Sequence, residues 1–160
     1  MATRHYPSFV KHETDEDKLA NIIVSVSLLD EVITLKLTNH FLKINDTKKN
    51  EEDRDIFEKT ILSKLSFREK SEIVCRILEN QNDRKRFKKY LFRAGEIRNQ
   101  VAHNTGLFGM PKDIENVYNE FDALMIELET FIESTYFEFQ HDMDYAYTQQ
   151  YKEEVKSNLS

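Results

Sequence analysis

One of the chain's five histidines closes the stretch RNQVAH, Arg98 to His103, directly before the turn residues NTG. An imidazole titrates near neutral pH, so it can take a proton from one group and return it to another. A guanidinium keeps its charge, and its planar fork grips phosphate oxygens and stabilises negative charge building on phosphorus. Arg98 and His103 are therefore the pair whose types could do chemistry, while Asn99 alone means little. Each has a plainer alternative. Arg98 can close a buried ion pair, and His103 can sit at a helix C-terminus and interact with its dipole.

Their positions follow from the helix that carries them. At about 100° per residue, Phe87, Tyr90, Leu91, Ala94, Ile97 and Val101 share an arc of roughly 120°, the face to be buried. Arg98 falls inside that arc, at its edge beside Leu91. A bare buried guanidinium is very costly, so Arg98 must be paired or must line a cleft or an interface. Asn99 and His103 lie on another flank, and Arg98 and His103 are about 140° apart on a straight helix. Two arrangements bring them together. Either the helix ends or kinks near Ala102, or a second copy of the chain supplies the partner side chain. Spacing alone does not choose.

The surrounding elements read as helices. The first opens at Thr14 or Asp15 and carries Leu19, Ile22, Ile23, Val26, Leu29, Val32, Ile33, Leu37, Phe41 and Ile44, recurring at three- and four-residue steps. Asn45 to Asp53, NDTKKNEED, reads as a polar loop, followed by a short helix with Ile56, Phe57, Ile61 and Leu65. SFRE, Ser66 to Glu69, matches a capping box that starts a new helix with Ile73, Val74, Ile77 and Leu78. Gln81 to Asp83 opens the basic helix. Asn104 to Asp113 is the main turn, and a last helix carries Ile114, Val117, Phe121, Leu124, Leu128, Phe131 and Phe139. From His141 onward the chain reads as a polar tail or frayed helix. The expectation is an all-α fold. It is an antiparallel four-helix bundle with a broken second helix, its single domain spanning 1–140 and a C-terminal extension spanning 141–160.

Composition narrows the class. The 160 residues contain three glycines and two prolines, too few turn formers for a many-stranded sheet. No apolar run approaches the roughly 20 residues that span a bilayer, and the first residues lack the apolar core of a secretory signal. A cytoplasmic location is expected, with the single Cys75 a buried, inert thiol in the apolar run IVCRIL. The net charge is −6, yet residues 84–98 hold seven basic side chains and one acid. That block is +6, leaving −12 for the remainder. A solvated helix face explains such a block as readily as a binding surface does. No phosphate-cradling GxxxxGK[ST] loop, CxxC or HExxH occurs. His141, Asp142 and Asp144 make a poor metal set, and a solvated tail is the better reading. No metal and no cofactor is expected.

Together, Arg98, Asn99, Ala102 and His103 resemble the RNxxAH signature of the HEPN family (higher eukaryotes and prokaryotes nucleotide-binding), over an architecture covering about Leu19 to Phe139. The resemblance implies a four-helix bundle that forms a homodimer, with two motifs meeting in one cleft. Many members are metal-independent endoribonucleases, often toxins or phage-defence effectors, with the matching arginine and histidine catalytic and the polar residue supporting them. On this reading RNA is the substrate and its 2′-OH the nucleophile. Cleavage leaves a 2′,3′-cyclic phosphate and a 5′-hydroxyl, and an antitoxin or regulatory protein is a further partner. Arg84, Lys85, Lys88, Lys89 and Arg93 are then the residues to hold the RNA backbone, and Tyr90 would stack a base if it were exposed. Members modified by a nucleotidyltransferase antitoxin carry tyrosine two residues after the histidine. This chain has Thr105 there, which argues against that form of control. The family also contains non-catalytic interaction modules, which is the alternative reading. A nucleotide-binding regulator would need an enclosed pocket lined by the same residues.

Overall fold

The computed structural model of the chain describes residues 14–42, 47–104 and 113–159, with the side chains of 47–50 and 104 left aside. Ile44, Thr105 and all but the ends of the turn expected at Asn104–Asp113 lie outside these residues. Among the described residues the fold is all-helical, five α-helices packed on one another.

Helix α1 spans Asp15–Phe41. Its start is set by Thr14, whose hydroxyl accepts from the Asp17 N–H at 3.1 Å. Asp15, Glu16 and Asp17 then face the positive end of the dipole. Ile22, Val26, Leu29, Ile33 and Leu37 form a fully buried stripe. Helix α2, Thr47–Thr60, begins inside the stretch expected as loop. Its first two turns are almost wholly polar and carry no apolar period. Its anchors come later: Arg54 donates to Asn39 Oδ1 at 2.7 Å, and the Phe57 ring lies 6.1 Å from that of Phe41. Ile56 and Ile61 are exposed, so of the apolar pattern there only Phe57 and Leu65 pack against the core.

A 3₁₀ turn at Leu62–Lys64 leads to α3, Phe67–Ile77. The capping box is formed: Ser66 Oγ accepts from Glu69 N–H at 3.1 Å, and the Glu69 carboxylate accepts from Ser66 N–H at 2.7 Å. Helices α2 and α3 do not run on from one another, because the cap starts α3 on a new course along α1. The buried Lys70 ammonium pairs with Asp30, and Ile77 and Leu78 share a cleft with Lys36 and His40, so α3 and α1 run in the same sense.

Helix α4, Gln81–Asn104, returns antiparallel to α3, with Lys88 near Glu72 and Arg98 over Phe67. Helix α5, Ile114–Leu159, runs back beside α4, with Phe87 meeting Phe131 and Arg93 meeting Glu120. Val74 and Cys75 of α3, Leu91 and Ile97 of α4, and Phe121, Met125 and Leu128 of α5 close the core around the α1 stripe. Each such large side chain contributes about 1.5–3 kcal/mol by leaving water. Burial pushes the Cys75 thiol up to about 11, which keeps it protonated and inert at neutral pH. The segment expected as a tail or frayed helix continues α5 without interruption, exposed throughout from Tyr151 to Leu159. No helix of the described residues is long and apolar enough to cross a membrane.

Candidate active site

Helix α4 carries every candidate residue. Asn80 caps it, its Oδ1 accepting from the N–H groups of Asn82 and Asp83 at 2.8 and 3.3 Å. Phe87, Leu91, Ala94, Ile97 and Val101 are buried as the helical arc requires, while Tyr90 and Arg98 are half-buried at its margins.

Arg98 lies against α3. Its guanidinium donates to Asn99 Oδ1 from Nη2 at 3.2 Å and from Nε at 3.4 Å, and sits 5.7 Å from the centre of the Phe67 ring. Among the described residues no carboxylate pairs with it. The plainer expectation, an arginine closing a buried ion pair, is thus not what the described residues show. The Asn99 side chain accepts from two nitrogens of the Arg98 fork. Ser66, Phe67, Arg68, Phe92, Gly95 and Glu96 complete a small niche of about 110 Å³ around the pair. That is well below the roughly 300–1,000 Å³ of a pocket enclosing a whole small molecule.

His103 is exposed on the last turn of α4. The helix does not end at Ala102 but continues to Asn104. The divergence of about 140° between Arg98 and His103 therefore stands within one chain. His103 lies on the side of α4 facing away from the core, in a stripe with Lys85, Lys88, Lys89, Phe92 and Asn99 at steps of three, four and seven.

The five cationic candidates separate by what they touch. Lys85 and Lys89 are exposed with no ion pair among the described residues. Lys88 lies 3.9 Å from Glu72 and 5.4 Å from the Phe92 ring centre. Arg84 donates from Nε to the Leu78 carbonyl, which holds it at the α3–α4 junction. Arg93 is engaged on both sides. It forks onto Glu120 at 2.6 and 2.9 Å and reaches Glu96 at 3.3 Å. These bonds push its guanidinium pKa above the ordinary arginine range and hold the Glu120 carboxyl below its own. Arg93 ties α4 to α5 and is the least available of the five.

Sequence reading missed Phe67, Arg68 and Phe92. The Arg68 guanidinium lies over the Phe92 ring at 4.2 Å. The available signal was Phe92 itself, an aromatic residue in the middle of the basic face and outside the buried arc. A larger cleft, about 540 Å³, opens elsewhere among the described residues, between the ends of α1 and α3, the start of α4 and the middle of α5. It lies about 20 Å along α4 from Arg98, and its charged walls are largely self-paired, Lys36 with Glu138 and Arg86 with Asp83. His141 Nδ1 lies 3.8 Å from Asp142, and no group of three or more potential metal ligands occurs among the described residues.

Comparison with family models, with curated proteins and with solved structures gives no match for this chain.

Proposed function

We propose that the chain is a metal-independent endoribonuclease of the HEPN type, acting as a homodimer in the cytoplasm as a toxin or phage-defence effector. The observation that carries this reading is the state of Arg98: half-buried, held by Asn99, and without a carboxylate partner among the described residues. A guanidinium kept in that state is ready for an anionic group, and a phosphodiester supplies one. His103 takes the proton of a ribose 2′-OH, whose oxygen attacks the adjacent phosphorus. Arg98 stabilises the charge on the non-bridging oxygens, and the 5′-oxygen leaves with a proton from a general acid. The products are a 2′,3′-cyclic phosphate and a 5′-hydroxyl. Because α4 continues as a helix through Asn104, with Arg98 and His103 on different flanks, a two-fold dimer that brings Arg98 of one protomer to His103 of its partner is the arrangement that would join the two groups. Lys85, Lys88 and Lys89 hold the RNA backbone, with Arg84 at the edge.

A second reading, a non-catalytic interaction module, draws on the outer part of α5, where Phe137, Tyr151 and Leu159 are exposed. A nucleotide-binding regulator is disfavoured by the small size of the niche beside Arg98. The test is cleavage of a mixed RNA pool in EDTA by the purified protein and by His103→Ala. Cyclic phosphate ends that vanish in the variant support the nuclease. Equal inertness of two folded dimers moves the assignment to the interaction module.

A further inference from the structure

We propose that the niche between the start of α3 and the middle of α4 is a stacking subsite for one unpaired base of single-stranded RNA, with Phe92 as its platform. The proposal deepens the reading of Arg98 and His103 as an RNA-cleaving pair, and rests on it.

Phe92 is half-buried on the outward side of α4, where the core does not require an aromatic residue. Its ring is flanked by two cations, the Arg68 guanidinium at 4.2 Å and the Lys88 ammonium at 5.4 Å. A ring that attracts cations presents its electron-rich face, and the same face stacks a nucleobase. Arg68 is exposed on a flexible stem, so a base can enter over Phe92 and leave Arg68 stacked on its far side. The floor is apolar and flat because residue 95 has no side chain. A Cβ on Gly95 would lie 2.9 Å from Cδ1 of Phe67. The space of about 110 Å³ suits one planar ring rather than a whole nucleotide. Arg98 borders the same niche, so a base seated on Phe92 brings its own backbone phosphate towards the guanidinium assigned to grip it. Stacking is tolerant of sequence, because every base has a π-face.

The test uses the full chain and a fluorescent single-stranded hexaribonucleotide with 2′-O-methyl sugars. This probe lacks the nucleophile, so binding is read without cleavage. Phe92→Leu is expected to weaken binding about 5- to 100-fold, while Phe92→Trp stays close to the parent. The salt dependence of binding should stay unchanged in Phe92→Leu, because stacking releases no counterions. A fall in that dependence would show that Phe92 only positions Lys88 and Arg68, and would overturn the proposal. So would parent-like affinity in Phe92→Leu. A measurement on the unaltered protein guards against a misfolded variant. A 2-aminopurine placed centrally in the hexamer should lose fluorescence on binding, and unchanged fluorescence would overturn the subsite. Cleavage of natural RNA is followed in parallel. Phe92-dependent binding without cleavage sinks the nuclease and keeps the subsite. Cleavage with Phe92-independent binding does the reverse, and absence of both removes both.

Discussion

Arg98 and Arg93 stand five residues apart on one helix, and their surroundings assign them opposite sensitivities. Replacing Arg98 by Met removes hydrogen bonds to one neutral amide oxygen and a ring contact at 5.7 Å. A hydrogen bond of that kind contributes about 0.5–1.5 kcal/mol, and an exposed cation–π contact about 0.5–1. Methionine keeps the apolar stem against Phe67, which recovers part of the loss. The net cost is about 1 kcal/mol or less, a Tm change of about 2–4 °C at this size. Replacing Arg93 by Met removes the two-pronged contact to Glu120 and the link to Glu96. These groups are more than a third exposed, so solvent screening limits the pair to about 1 kcal/mol. Stability therefore scarcely separates the two variants, whereas activity should. Loss of a group that stabilises transition-state charge lowers turnover about 10²–10³-fold, and this is expected of Arg98→Met alone. Arg93→Met should retain cleavage within a few-fold. The assay is initial-rate cleavage of a labelled RNA beside thermal unfolding by circular dichroism. Equal activity loss in both, or full activity in Arg98→Met, would refute the assignment of roles.

Ser66→Ala removes one half of the capping box and should cost about 1 kcal/mol, read as a lower midpoint in urea. Gly95→Ala gains up to about 1 kcal/mol of helix propensity but forces a methyl against Phe67, a cost of about 1–3 kcal/mol. A net fall in Tm is the expected outcome. The Glu120 carboxyl is held below its ordinary value of 4.5 by the Arg93 fork. Its contribution is therefore complete above that value and is lost as pH falls through the lower, folded-state value. Parent and Glu120→Gln should differ in Tm at pH 7 and converge in acid, and a gap that persists well below the lowered, folded-state value would contradict the pairing. Removing residues 147–159 should leave Tm within about 2 °C, because those side chains are almost all exposed.

What the sequence disclosed is what lies within one helix. Ser66 and Glu69 form their cap because both partners are three residues apart, and the arc from Phe87 to Val101 is buried because its period is local. The margin position of Arg98 was legible for the same reason. Helix α2 was not, since its first turns hold only polar side chains and depend on Arg54 and Phe57 reaching α1. The full length of α5 was hidden likewise, because a solvated helix has no apolar stripe to announce it. Contacts between helices were out of reach. Arg93 meets Glu120 across 27 positions, and Phe92 meets Arg68 from a different element. The niche exists through such meetings, so local spacing offered no sign of it.

At about 1.5 Å per residue, the 46 residues of α5 extend for about 69 Å, against about 40 Å for the 27 residues of α1. A projecting rod raises the frictional coefficient far more than it raises mass. On a sizing column a single protomer will therefore elute ahead of spherical standards of 19.1 kDa and imitate a pair. The stoichiometry that the proposed two-chain site requires has to be read from sedimentation equilibrium or light scattering, which weigh the particle whatever its outline.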